Sequence, residues 1–237
     1  MYKNYKKPQD ILRILQKITL FKGLSSEQLQ RTVEVASRRD YSADSTLFYQ
    51  GDEATKFYLL LDGEIKLSQL TEDGQQIILH IVVSGEAFGI LAVLQQIPYP
   101  VTAQAVKPAQ VLAWDEQTMR ELMAENVQLA FNALGILAGH IHEYQDRFRE
   151  IATEKVERRI ARTLLRLGNS IGKKTESGVL IDIPLTRQDI GEMTGSTLFT
   201  VSRILRAWEE KGYVKSQRER VTLRQPHELV KITEEIQ

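Results

Sequence analysis

No cysteine occurs among the 237 residues. That excludes disulfides, thiolate zinc sites, cysteine-held iron–sulfur clusters and switching by thiol oxidation. No stretch approaches the roughly 18 consecutive apolar residues that a membrane span requires. The opening MYKNYKKPQD is charged and has no apolar run behind it, so no signal peptide is expected. These absences point to the cytoplasm and away from a membrane partner. Enzyme signatures are missing too. There is no glycine-rich phosphate loop, HExxH or GxSxG, and the scattered carboxylates form no recognisable catalytic pair, so no catalytic residue is expected.

Nor is there an excess of one charge, because 31 Lys and Arg balance 31 Asp and Glu. The balance is uneven along the chain. From residue 151 onward 16 Lys and Arg stand against 12 Asp and Glu, leaving the first 150 residues acidic by the same margin. A neutral-to-acidic sensing half and a half that meets phosphate would distribute charge this way. The hydrophobic content of 42 % is that of an ordinary globular protein, and the length suffices for two modest cores.

Residues 8–16 carry apolar positions at helical spacing, and Ser25 with Gln28 forms a capping box before a second helix. After Arg38 the texture changes to short apolar runs punctuated by Gly51, Gly63 and Gly74. Asp62-Gly63 and Asp73-Gly74 are hairpin signals, and a small barrel or sandwich of the roll type is expected over about 40–115. Asp115 opens a helix. A long one follows from Val127 to Glu150, marked by Leu129, Ala133, Leu134, Leu137, Ile141 and Phe148. It is too apolar to lie free, so it forms a dimer contact or packs on its own domain. A helix over roughly 153–168 and a polar loop, NSIGKKTESG at 169–178, come next.

The most informative segment is LTRQDIGEMTGSTLFTVSRILRAWEEKGYVKSQRERVTL. Thr186 and Asp189 start one short helix, Gly195 makes the turn, and Ser196 or Thr197 caps a second helix with Leu198, Val201, Ile204 and Leu205 on one side. This is a helix-turn-helix whose second helix enters the major groove of double-stranded DNA. Arg203 is the candidate for a bidentate guanine contact, with Thr200, Ser202 and Phe199 as further base contacts. Thr186, Thr197, Arg206, Lys215, Gln217 and Arg218 are the candidates for the DNA backbone, the last three around a basic hairpin beside the helix. The alternative is a protein-binding or structural dimer whose DNA module is degenerate.

LFKGLS, LFYQGDEATKFYLLLDGEIKL, GEAFG at 85–89 and TGSTLFTVSRIL with its GYV wing occur in one order and spacing. In these motifs the chain resembles the cyclic-AMP receptor protein and fumarate–nitrate-reduction regulator (CRP/FNR) superfamily over nearly its whole length. The resemblance implies an α+β chain: an N-terminal cyclic-nucleotide-binding-like β-roll (a double-stranded β-helix or jelly roll), a long dimerisation helix and a C-terminal winged helix-turn-helix. The implied boundaries are 1–124, 125–150 and 151–237. It further implies a homodimer on a palindromic operator, an activator's role and contact with RNA polymerase.

An effector pocket is implied at Gly85, Glu86, Phe88, Tyr99, Val101, Thr102, Leu137, Ile141 and Tyr144. Cyclic-nucleotide members follow the Gly-Glu pair with an Arg-Ser that meets the cyclic phosphate. Here that place holds Tyr99-Pro100, which disfavours cyclic AMP, because a buried phosphate needs a cation or equivalent donors. YPVTAQAV resembles the cysteine-free regulators of nitrate respiration, which implies haem, with His142 and then His140 as axial ligand. A polar metabolite, or no ligand, stands beside that reading. The recognition helix also departs from its relatives, with Phe199 where the resemblance implies a glutamate that accepts from cytosine.

Overall fold

The computed structural model describes residues 8–234. The first seven residues, over which most of the signal-peptide reading runs, lie outside them. The chain divides into two compact units, residues 1–70 with 79–143 and residues 71–78 with 144–237.

The first unit opens with α1 (Pro8–Leu15), a 3₁₀ turn (Thr19–Phe21) and α2 (Ser26–Glu34). Ser25 accepts from the Gln28 N–H at 3.2 Å while the Gln28 side chain accepts from the Ser25 N–H at 2.7 Å, a closed capping box. The roll follows as β1 (Ser37–Tyr41), β2 (Thr46–Phe48), β3 (Lys56–Asp62), β4 (Ile65–Leu70), β5 (Gln76–Val82), β6 (Ala87–Phe88), α3 (Ile90–Gln95), β7 (Thr102–Ala105) and β8 (Ala109–Asp115). Two antiparallel sheets form, ordered β1-β8-β3-β6 and β2-β7-β4-β5. Phe57 to Leu61 are all buried rather than alternating, because one side of β3 meets the core between the sheets and the other is covered. On the covered side Phe57 lies 5.6 Å from Trp114, whose indole N–H donates to the Thr32 carbonyl of α2 at 2.8 Å.

One turn reads differently in three dimensions. Asp73-Gly74 joins β4 to its sheet neighbour β5, but Asp62-Gly63 joins β3 to β4, which lie in different sheets. That turn is therefore a crossing, not a hairpin. Gly63 has φ 96°, and a Cβ there would fall 2.5 Å from the Pro108 carbonyl. The Asp-Gly pair reports this backbone requirement and not which strands become partners.

Asp115 caps α4 (Glu116–Glu125) by accepting from the Thr118 N–H at 2.8 Å. Next is α5 (Val127–Thr153), 27 residues long. Two of its sequence marks, Leu129 and Ala133, are buried in the first unit's core, with Ile136 and Leu137 packed against it. The others, Leu134, Ile141 and Phe148, are exposed, together with Val127, Phe131, Tyr144 and Ile151. Among the described residues no helix is long and apolar enough to cross a membrane.

The second unit continues with α6 (Val156–Ile171), β9 (Gly172–Thr175), β10 (Gly178–Ile181), α7 (Arg187–Thr194), α8 (Leu198–Glu210), β11 (Val214–Gln217), β12 (Arg220–Leu223) and α9 (Pro226–Glu234). Its sheet runs β11-β12-β10-β9. The stretch 169–178 is thus not the loop its polarity suggests. It ends α6 and supplies β9, an edge strand whose Lys173, Lys174 and Thr175 are exposed. Charged residues on an edge keep it from pairing with another chain, so polarity here marks an edge rather than a break. The terminal helix α9 closes the unit, with Arg158 Nε donating to the Thr233 carbonyl at 2.8 Å.

Candidate nucleic-acid interface and sensor site

The interface is built on two capped helices. Thr186 accepts from the Asp189 N–H at 3.0 Å, and Asp189 accepts from the Thr186 N–H at 2.8 Å, which starts α7. Gly195, at φ 60°, ends it in the left-handed conformation. A Cβ on Gly191 would sit 2.7 Å from the Ser196 carbonyl, so this glycine also lets the turn close. Of the two caps open in the sequence it is Thr197 that caps α8, accepting from the Thr200 N–H at 3.2 Å. Val201, Leu205 and Trp208 are buried, and Trp208 donates to Glu157 Oε1 at 3.0 Å.

Opposite that buried side, Phe199, Arg203 and Arg206 follow one another at i, i+4 and i+7 on a solvent-facing stripe. Phe199 is 82 % exposed. Thr200 and Ser202 flank the stripe and are half-buried, and the Thr200 hydroxyl lies 3.0 Å from that of Thr197. Thr186 is occupied by its cap and projects no free hydroxyl hydrogen, since it donates to Asp189 Oδ2. We expect Thr186→Ala to lower the stability of the DNA-free protein by about 1 kcal/mol, the usual worth of an N-cap. Urea unfolding checks this, and an unchanged midpoint would return Thr186 to the backbone-contact set alone.

The wing stands beside α8. Glu209 Oε1 accepts from the Ser216 N–H at 2.8 Å, which ties β11 to the recognition helix. Lys215, Gln217 and Arg218 are all exposed, and the turn between β11 and β12 places Arg218 and Glu219 at φ 23° and 60°. Positive φ at both turn residues is what a two-residue hairpin needs, here met without glycine.

A polar cluster that local spacing does not announce holds the start of this unit. Glu150 is buried and paired with Arg166 at 2.7 Å. Glu154 accepts from Arg162 Nε at 3.1 Å, and Arg159 donates to the carbonyls of Glu154 at 2.9 Å and Thr194 at 3.0 Å. The end of α5 is thereby linked through α6 to the end of α7. These partners are separated by up to 35 residues, so only the fold brings them together.

In the first unit the proposed pocket residues fall into three groups. Gly85 donates to the Leu60 carbonyl at 2.8 Å, and the Glu86 carbonyl accepts from the Leu60 N–H at 3.0 Å, so the Gly-Glu pair is fastened to β3. Phe88 and Tyr99 belong to an aromatic stack with Phe48 and Tyr58. The Tyr99 ring lies 3.7 Å from that of Phe48, and its hydroxyl accepts from the Lys56 N–H at 3.0 Å and donates to the Lys56 carbonyl. Burial raises its pKa above the ordinary phenol value. A cyclic phosphate would meet at Tyr99-Pro100 a buried phenol already in use and no cation. The residues there do not fit that ligand. Thr102 accepts from the Gln50 N–H at 3.0 Å, and Val101 is half-buried. Leu137 packs on the core, whereas Ile141, one turn further along α5, is exposed, and Tyr144 belongs to the second unit.

The two histidines of α5 part company. His142 is exposed. His140 faces β5 with its ring 6.1 Å from that of His80. His80 Nε2 lies 2.9 Å from Glu86 Oε2, and its Nδ1 is 3.9 Å from Glu143 Oε1. Burial, and then the neighbouring His80, hold the His140 pKa below the ordinary imidazole value. His80 thus lies between Glu86 and Glu143 of α5, a juxtaposition that a 57-residue separation conceals in the sequence.

Residues 38–126 match the cyclic nucleotide-binding domain family, and residues 158–232 match the Crp-like helix-turn-helix domain family. The chain is 29 % identical over 211 residues to the global nitrogen regulator of Synechococcus elongatus, covering 88 % of this chain and 93 % of that protein. It is 26 % identical over 192 residues to the anaerobic regulatory protein of Bacillus subtilis, covering 81 % of each. Among solved structures, a CRP-family transcriptional regulator from Thermus thermophilus matches at 25 % identity with a TM-score of 0.71, over 83 % of this chain and 97 % of that one. FixK2 from Bradyrhizobium japonicum shares the fold at a TM-score of 0.72 and 24 % identity, over 84 % and 97 %. With a cyclic-nucleotide-binding-like roll, a long helix and a winged helix-turn-helix in this order, the chain belongs to the CRP/FNR superfamily of DNA-binding transcription regulators.

Proposed function

We propose that the chain acts in the cytoplasm as a homodimer that sets two copies of α8 into successive major grooves of a palindromic operator, about 34 Å apart. The observation that carries this reading is the stripe of Phe199, Arg203 and Arg206 on a capped helix beside a basic wing. Arg203 would hold a guanine through O6 and N7, with Thr200 and Ser202 at base edges. Thr197, Arg206, Lys215, Gln217 and Arg218 would position the duplex through its backbone. The exposed stripe of α5 would join the two subunits. Activation through RNA polymerase near a promoter is part of the proposal and follows the family's habit.

Control would enter through the first unit. An effector lying at Gly85 and Glu86 would bear on α5 through His80 and Glu143, and any effector shifts the dimer only by binding one of its states more tightly. From α5 the signal would pass along Glu150, Glu154 and Arg159 to the turn of the helix-turn-helix.

The test is the salt dependence of binding to a duplex selected from random sequence. The logarithm of affinity should fall linearly with the logarithm of salt concentration, and Lys215→Ala or Arg218→Ala should flatten the slope. Each backbone contact accounts for roughly 0.9 of slope, hence about 2 for a dimer altered in both wings. An unchanged slope would remove that residue from the backbone set. DNA affinity without salt dependence or sequence preference would favour a protein-binding dimer instead.

A further inference from the structure

We infer that Phe199 makes this protein a reader of the C5-methyl group of a pyrimidine in each half-site, so that thymine is recognised there by its methyl and not by its hydrogen-bonding edge. The inference rests on the proposed docking of α8 in the major groove and adds the chemistry of one contacted position.

Phe199 is 82 % exposed, although it sits in the first turn of a helix whose own core is already filled by Val201, Leu205 and Trp208. The ring therefore contributes nothing to folding that would account for its size. It lies one turn before Arg203 on the same stripe, so a groove that receives the arginine fork receives the ring next to it. Phenylalanine has no donor or acceptor. In the major groove every base presents hydrogen-bonding groups, and thymine alone adds a methyl, at the place where cytosine carries only a C5 hydrogen. A ring laid over a cytosine amino group would strip its water and return no partner, which is unfavourable. The same ring over a methyl buries apolar surface on both sides. Leu198, 40 % exposed and adjacent, widens the apolar patch at the groove entrance. The preference is for the methyl itself, so 5-methylcytosine should satisfy the ring where cytosine does not.

The experiment uses the full-length dimer and the duplex obtained by selection. Each thymine of a half-site is replaced in turn by uracil, which removes only the methyl, and the complete square of thymine, uracil, cytosine and 5-methylcytosine is measured at any position that responds. One thymine per half-site should respond, with affinity falling about fourfold per methyl removed, and on the order of fifteenfold when both half-sites are altered. 5-Methylcytosine should recover a similar factor over cytosine. In Phe199→Ala the thymine–uracil difference should vanish, and because the ring is exposed the variant should melt with the parent. Equal affinity for thymine and uracil at every position, by a protein that still prefers the selected duplex to a scrambled one, overturns this inference alone. So does a thymine–uracil difference that persists in Phe199→Ala. Failure to prefer any duplex over a scrambled one overturns the proposed function and this inference with it.

Discussion

Arg203→Ala should abolish the preference for the selected operator while sparing most of the affinity for random DNA. A bidentate arginine–guanine pair contributes roughly 1–3 kcal/mol of discrimination, and a symmetric dimer makes it twice, so about 2–6 kcal/mol should be lost between operator and random sequence. The residue is suited to this. It projects from the exposed stripe one turn after Phe199, on a helix anchored by Leu205 and Trp208 behind it. Arg203→Lys separates fork from charge. Lysine keeps the positive charge but not the planar pair of donors, so it should restore affinity for random DNA without restoring specificity. Competition binding at fixed salt reads both quantities. Equal losses on operator and random DNA would make Arg203 a phosphate contact.

The second large effect concerns α5. Its exposed apolar residues Val127, Phe131, Leu134, Ile141 and Phe148 recur at intervals of three, four and seven, with Ala138 in the gap, which is the spacing of a two-helix seam. Leu134 and Ile141 are 60 % and 58 % exposed, so charging them leaves the subunit's own core intact. The double substitution Leu134→Glu and Ile141→Glu should convert the dimer to a folded monomer, because two glutamates from each chain would meet in an apolar seam. Loss of the second head removes its effective concentration at the operator, and affinity should fall by about 10²- to 10⁴-fold. Sedimentation gives the mass, thermal unfolding gives the fold, and titration gives the affinity. Leu129→Ala, one helical face away and fully buried, provides the contrast: it should destabilise the subunit by roughly 2–5 kcal/mol without splitting the dimer selectively. A dimer that survives both glutamates would move the subunit contact elsewhere.

Much of this architecture is written in local chemistry. Ser25 with Gln28, Asp115, Thr186 with Asp189, and Thr197 mark helix starts because a side-chain oxygen three residues back can satisfy a free backbone N–H. Gly195 marks the turn of the helix-turn-helix because few other residues adopt its left-handed backbone cheaply. The recognition stripe is legible too, since helical spacing alone puts Phe199, Arg203 and Arg206 opposite Val201 and Leu205. All of these rest on interactions within a few residues, and a sequence displays such neighbours directly.

Other features exist only once distant segments meet. The apolar positions of α5 look alike in the sequence. The fold buries Leu129 and Ala133 against the roll and leaves Leu134, Ile141 and Phe148 exposed. Asp62-Gly63 turns the chain between sheets rather than within one, and the polar stretch 169–178 yields an edge strand. Tyr99 joins an aromatic core only because Phe48 and the Lys56 backbone arrive beside it. The chain from Glu86 through His80 to Glu143, and that from Glu150 and Glu154 through Arg159 to Thr194, join groups with no periodic relation to one another. Periodicity and capping act over one or two helical turns, so the sequence by itself determined most of the helices, their caps and the stripe proposed to meet DNA. Burial and ion pairing depend on which surfaces are pressed together, so only the tertiary structure decided which side of α5 is exposed and that His80 lies between Glu86 and that helix.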